Sequence, residues 1–245
     1  MTAAGTLLTE GIKILCGGDE DIDSLIAPRR GEVTALLERY IKEIELFNPA
    51  YGLVGAADTS ELVIKHILDS IAPAGIIKRL LERQNINDNE NQTGVKYKIA
   101  DIGSGAGLPG IPLAIIFNGC DFTLIERMGR RAGFLLNTQA ALSLSGISIE
   151  ECELERFADK MPDSSGFDLI TFRAFKPLEP GLLKSLQKIC AHSISCERRA
   201  IIAAYKGKRE KIEEEMSALP QLKWEALPCP VPFLDEQRHL LVISG

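Results

Sequence analysis

The segment IADIGSGAGLPG, residues 99–110, constrains the fold more than any other stretch of the chain. An apolar run from Ile99 to Ile102 enters a glycine-rich turn, and a helix is expected to start near Pro109, where proline suits the first turn. Glycine permits positive φ and lets a ligand approach the backbone closely. Free N–H groups at a helix start favour a negative ligand group such as a carboxylate. The flanking pattern agrees with a strand–loop–helix unit. Apolar runs at 95–100, 122–125, 147–151, 169–172 and 200–205 read as short buried strands, with helical stretches at about 109–117, 128–145, 177–193 and 207–217. Such alternation predicts a parallel, doubly wound sheet. Two further strand candidates, 222–227 and 240–244, are joined only by PCPVPFLDEQRH, too little for a crossover helix, so they are expected to form a terminal antiparallel hairpin.

The first 85 residues read differently. In GEVTALLERYIKEIELF, residues 31–47, Val33, Leu36, Leu37, Tyr40, Ile41, Ile44 and Phe47 fall at helical spacing, and Asn48-Pro49 is expected to stop the helix. A second helix is expected after Asp58, with Glu61 placed as in a capping box and Pro73 as its breaker. A shorter one follows over 76–83. Residues 1–85 are therefore expected to be a helical cap, and the Asn-rich 84–94 a linker or loop leading into a second domain at 95–245.

Two ligand classes compete for the glycine loop. Gly105-x-Gly107-x-x-Gly110 is literally a dinucleotide fingerprint, but that spacing alone is weakly specific. The other frame is Asp101-x-Gly103-x-Gly105-x-Gly107, with an acid at the strand end, the frame of S-adenosylmethionine methyltransferases. Glu126 ends the next strand and would hold ribose hydroxyls of either cofactor. The glycines favour S-adenosyl-L-methionine and leave the dinucleotide open.

Longer strings narrow the choice. DIGSGAGLPGIPLAI resembles the glucose-inhibited division protein B family, the small-subunit rRNA guanine-N7 methyltransferases. HILDS (66–70), the block from Glu126 through Arg130-Arg131 to Phe134-Leu135, Arg173-Ala174-Phe175, Lys206-Gly207 and Arg238-His239-Leu240 resemble further motifs of that family, in the same order. The resemblance implies a Rossmann-like S-adenosylmethionine methyltransferase sheet with a terminal antiparallel hairpin, preceded by the helical cap. It carries cofactor contacts onto Gly103, Leu108, Leu154, Glu155 and Arg173, with Glu126 as the ribose ligand; the glycine frame adds Asp101, Gly105 and Gly107 to the cofactor candidates. Arg173 and Lys206 are the catalytic candidates, acting by positioning rather than by proton transfer. The implied partner is 16S rRNA or the small-subunit particle, with neither DNA nor a membrane expected. Three positions depart from the family's pattern: Gly52 stands where a second Asn is usual, Glu153 where an Arg is usual, and Glu126 where Asp is common.

The remaining features exclude more than they assign. The six cysteines form no CxxC pair and have no zinc-site spacing with the three histidines, so no metal is expected and the thiols read as structural and reduced. The N-terminus has no basic run ahead of its apolar stretch, and the run 111–117 is too short to span a bilayer, which points to the cytoplasm. His66 lies on the apolar side of its helix and reads as structural rather than as a base. The net charge of −6 argues against non-specific nucleic-acid binding and requires any RNA contact to be local.

Overall fold

The computed structural model describes residues 3–85, 96–162, 166–190 and 200–244. Helices α1 (Ala3–Gly18), α2 (Glu20–Ile26) and α3 (Arg30–Tyr51) come first. They are followed by α4 (Thr59–Leu62), a π-helical turn (Val63–Leu68), α5 (Asp69–Ile71) and α6 (Ala74–Asn85). The expected N-cap is present at α4, where Asp58 accepts from Glu61 N–H; the Glu61 carboxylate accepts from Ala57 N–H, one residue before the cap, and not from Asp58 N–H as a full capping box would have it.

The rest alternates as expected: β1 (Lys98–Ile102), α7 (Gly110–Ile116), β2 (Asp121–Glu126), α8 (Gly129–Leu142), β3 (Ile147–Glu151), α9 (Leu154–Lys160), β4 (Leu169–Arg173), α10 (Pro180–Ile189), β5 (Ile201–Lys206), α11 (Arg209–Ser217), β6 (Lys223–Pro228) and β7 (His239–Ser244). The sheet order is β3-β2-β1-β4-β5-β7-β6. The first five strands are parallel, and β7 pairs antiparallel with both β5 and β6, so the terminal hairpin is confirmed. Strand order reverses between β1 and β4, which opens a crevice at their carboxyl ends.

Alternate strand residues serve two apolar layers. Ile201, Ala203 and Tyr205 face a cluster built from α3, α7 and α8, which continues through Tyr40, Ile67 and Leu8 into the N-terminal helices. Ile202 and Ala204 face a second cluster, with Leu154 of α9, Leu186 of α10 and Met216 of α11. The helices of residues 3–85 thus share one continuous core with a face of the sheet.

Two local outcomes differ from the sequence expectation. Helix α9 was not expected, because Glu153, Glu155 and Arg156 mask the spacing of Leu154, Phe157, Ala158 and Met161. Helix α3 does not stop at Asn48-Pro49. It carries Pro49 in its last turn and ends when Gly52 takes the left-handed conformation, with φ 59° and its N–H on the Asn48 carbonyl. The Asn48 side chain then exchanges two hydrogen bonds with the Val54 backbone, at 3.1 and 2.9 Å. The expected loop at 84–94 lies largely outside the described residues.

The Gly52 geometry explains why Gly replaces Asn there: both residues enter the left-handed region readily. A Cβ at this position would meet nothing within 4 Å, so the cost of a side chain is conformational alone. Gly52→Ala is expected to lower stability by about 1 kcal/mol and Gly52→Asn by less, measured by urea denaturation. Equal losses for the two variants would remove the left-handed cap as the reason.

Candidate functional site

The glycine loop is built from inside by hydrogen bonds. Gly103 and Ser104 N–H groups both donate to the Ile125 carbonyl, tying the loop to the end of β2. Ser104 Oγ donates to the Asp101 carbonyl at 2.8 Å, and the Asp101 carboxylate accepts from Gly110 N–H at 3.1 Å. That second contact requires glycine, because a Cβ at 110 would lie 2.4 Å from Leu124 and 2.7 Å from the Asp101 carboxylate. Tyr40 of α3 donates its hydroxyl to the Ala106 carbonyl at 2.5 Å, so the helical region holds the loop as well. Nothing in the sequence marked that hydroxyl apart from its place on the apolar stripe. Gly103, Gly105 and Gly107 all have positive φ, at 66°, 58° and 86°.

The loop opens onto a cavity of about 350 Å³ at the carboxyl ends of β1 and β2, lined by Gly103, Glu126, Leu154, Glu155, Phe175 and their neighbours. Four predicted cofactor residues therefore share one wall system. The others stand behind it. Asp101 is fully buried and holds the loop rather than lining the cavity. Burial pushes its carboxyl up to about 7, despite the Ser104 and Gly110 hydrogen bonds. Its Oδ1 has no partner among the described residues. Gly105 donates its N–H to Glu126 at 2.8 Å, and Glu126 also accepts from Met128 N–H at 2.8 Å. Gly107 makes room for Ile111 and Leu135, and Leu108 is buried in the core.

Arg173 lies next door. It lines a second cavity of about 450 Å³, with His66, Asp69, Tyr205, Lys206 and Arg238. Its guanidinium donates to the Lys65 carbonyl at 3.0 Å, to Asp69 at 2.9 Å and to His66 Nδ1 at 2.9 Å. Arg238 donates to the other Asp69 oxygen at 3.1 Å. Tyr205 reaches the Ser70 carbonyl at 2.8 Å, and Lys206 is ion-paired with Glu215 at 2.7 Å. The structure thus brings the HILDS, RAF, KG and RHL strings into one cavity. Burial, with Arg173 close by, pushes His66 down to about 4. Arginine only donates, so His66 Nδ1 is an acceptor here and the ring is neutral near pH 7.

Ala174 joins the two sites. It lines both cavities and has φ 51°, a conformation uncommon for a residue with a side chain. Phe175, which the motif reading included without a role, packs its ring on Gly103.

Burial raises the thiols of Cys120 to about 11 and Cys229 to about 12, in keeping with structural cysteines, and Cys196 lies outside the described residues. Among the described residues no helix is long and apolar enough to cross a membrane, and no group of His, Cys, Asp and Glu is placed to hold a metal.

The family model for rRNA small subunit methyltransferase G matches residues 33–241. The ribosomal RNA small subunit methyltransferase G of Treponema denticola is 34% identical over 231 residues, 87% of each chain. That of Treponema pallidum strain Nichols is 36% identical over 242 residues, 97% of this chain and 92% of its own. A putative O-methyltransferase from Klebsiella pneumoniae superposes with TM-score 0.54 at 14% identity, over 86% of this chain and 90% of that one. The CurJ carbon methyltransferase gives TM-score 0.56 at 12% identity, over 91% and 69%. The last two show the fold.

Two outcomes follow from the second cavity. Asp69→Ala leaves two guanidiniums facing each other without their buried carboxylate, and a loss of about 3–5 kcal/mol is expected in denaturant unfolding. A loss under about 1 kcal/mol would mean that solvent already screens the pair. His66 has a lower pKa folded than unfolded, so the unfolded chain binds the extra proton first. Its contribution to stability is complete above about pH 6.5 and is lost as pH falls toward about 4. His66→Gln is expected to flatten that part of the stability–pH curve, and an unchanged acid limb would contradict it.

Proposed function

The chain belongs to the rRNA small subunit methyltransferase G family, and on that premise we propose that it methylates N7 of a guanine in 16S rRNA, free or in the small-subunit particle, using S-adenosyl-L-methionine in the cytoplasm. We also keep the division into a helical region, 1–85, and a methyl-transfer domain, 95–245. One observation carries the reading: two cavities meet at the sheet's switch point, one lined by the glycine loop and Glu126, the other by cationic side chains, with Ala174 in the wall of both.

The residues of the first cavity suit the cofactor. Glu126 spends one lone pair on Gly105 and one on Met128, which leaves acceptor capacity for two ribose hydroxyls. Leu154 offers an apolar surface for an adenine, with Glu155 beside it. Glycines 103, 105 and 107 keep the backbone bare where the ligand approaches. Bound there, the cofactor supplies a methyl carbon activated by its sulfonium.

The second cavity suits a guanine on a phosphodiester chain. Arg173, Arg238 and Lys206 present cations that can hold a phosphate or the guanine O6. N7 carries a lone pair and no proton, so attack on a methyl carbon needs no base. His66 fits this: it is neutral, and its Nδ1 accepts from Arg173. The chain's work is alignment and electrostatic support. Arg127, Arg131 and Lys176 on the first cavity's wall add local positive charge to an acidic protein.

The test is methyl transfer from labelled S-adenosylmethionine to small-subunit rRNA and particles, followed by mapping of the labelled nucleotide. N7-methylguanine at one site is expected. Label in a small metabolite or a protein alone would overturn the substrate reading. Glu126→Ala should weaken cofactor binding by about 1.5–3 kcal/mol in calorimetry, the worth of hydrogen bonds to a charged group.

A further inference from the structure

We propose that the Phe175 ring is the surface on which this protein recognises the positive charge of the methyl donor, so that it distinguishes S-adenosylmethionine from its demethylated product. The inference rests on the cofactor reading above and goes beyond it. It begins with the turn at 173–175. Ala174, at φ 51°, lets consecutive side chains part: Arg173 enters the cationic cavity, and Phe175 enters the cavity of Glu126. Phe175 therefore stands at the partition that a methyl group must cross between the two.

The ring lies directly on the glycine loop. A Cβ built on Gly103 would be 2.4 Å from Phe175 Cδ2, so the glycine leaves the aromatic ring against the bare backbone. Phe172 packs at 6.1 Å with the rings tilted by 59°, which supports Phe175 from the core. A cation already sits near the ring: Lys176 Nζ lies 5.9 Å from its centroid and 3.8 Å from the Glu155 carboxylate. An aromatic face draws positive charge through its quadrupole, and more strongly where water is excluded.

The chemistry gives that attraction a direction. In the transfer, the N7 lone pair forms the new N–C bond and the C–S bonding pair returns to sulfur. The sulfur changes from a cationic sulfonium to a neutral thioether, and the positive charge leaves with the methylated guanine. A ring that holds the donor by its charge therefore loses its hold on the product, which favours exchange of product for donor.

Calorimetric titration of the full chain with S-adenosylmethionine and with S-adenosylhomocysteine tests this. Phe175→Leu should weaken the donor about five- to tenfold and leave the product within about twofold. Replacing Phe175 by phenylalanines of increasing ring fluorination keeps the shape and drains the quadrupole, so donor affinity should fall stepwise while product affinity stays level. Equal weakening of both ligands, or a flat fluorination series, overturns the inference and leaves the cofactor reading standing. Failure of the unmodified protein to bind either ligand overturns both.

Discussion

Asp69 is held between Arg173 and Arg238, and the candidate site depends on that contact. The carboxylate is 5% exposed, and the contact joins three distant parts of the chain: Asp69 itself, just after the π-helical turn, Arg173 at the end of β4 and Arg238 on the strand approach to β7. Apolar burial brings the N-terminal helices onto the sheet, but that force is non-directional and fixes no register. The charged hydrogen bonds are directional. They place the Lys65 carbonyl and His66 Nδ1 against one guanidinium and so fix the helical region over the switch point. A buried pair of this kind adds little net stability against an apolar replacement of equal shape. What it contributes is position.

Two further carboxylates organise the glycine loop, and they do so in opposite ways. Asp101 is sealed in, accepts one N–H from Gly110, and has its carboxyl pushed up by burial. Glu126 accepts from two backbone N–H groups and faces a cavity. A sequence motif presents both as acids at strand ends. Only the packing of Gly110 against Asp101 shows that one supports the loop while the other lines a cavity.

That difference marks the limit of what was legible in the chain. Strand alternation, the doubly wound sheet and the terminal hairpin followed from the period of apolar residues, because burial of a strand on one or both faces leaves that period in the sequence. The N-cap at Asp58 was legible because a short acceptor side chain ahead of a helix serves a nearby free N–H. Helix α9 was not, since its charged first turn hides a four-residue apolar stripe. Pro49 misled because the helix carries it through the last turn and ends only where Gly52 becomes left-handed. The convergence of four short motifs on one cavity was legible only as a list of strings. The Phe175–Gly103 contact and the Tyr40 hydroxyl on Ala106 left no local trace, because both depend on residues more than sixty positions apart.

The acidity of the chain takes on a different meaning once the second cavity is described. Its cations are not loose charges waiting for phosphate. Arg173 is paired with Asp69, Arg238 with Asp69 and Glu236, Lys65 with Glu61, and Lys206 with Glu215. Free surface cations would give affinity that any polyanion could use, with the steep salt dependence of counterion release. Paired cations give less affinity but hold their remaining N–H groups in fixed directions. Arg173 spends N–H groups on Lys65, Asp69 and His66, and what remains of its five donors is aimed by those three bonds. An RNA group that fits the fixed donors gains without the cost of ordering a long side chain, and one that does not fit meets a cavity already neutralised. A net charge of −6 is then compatible with an RNA substrate, provided that selection rests on geometry at one cavity and not on the field of the whole surface.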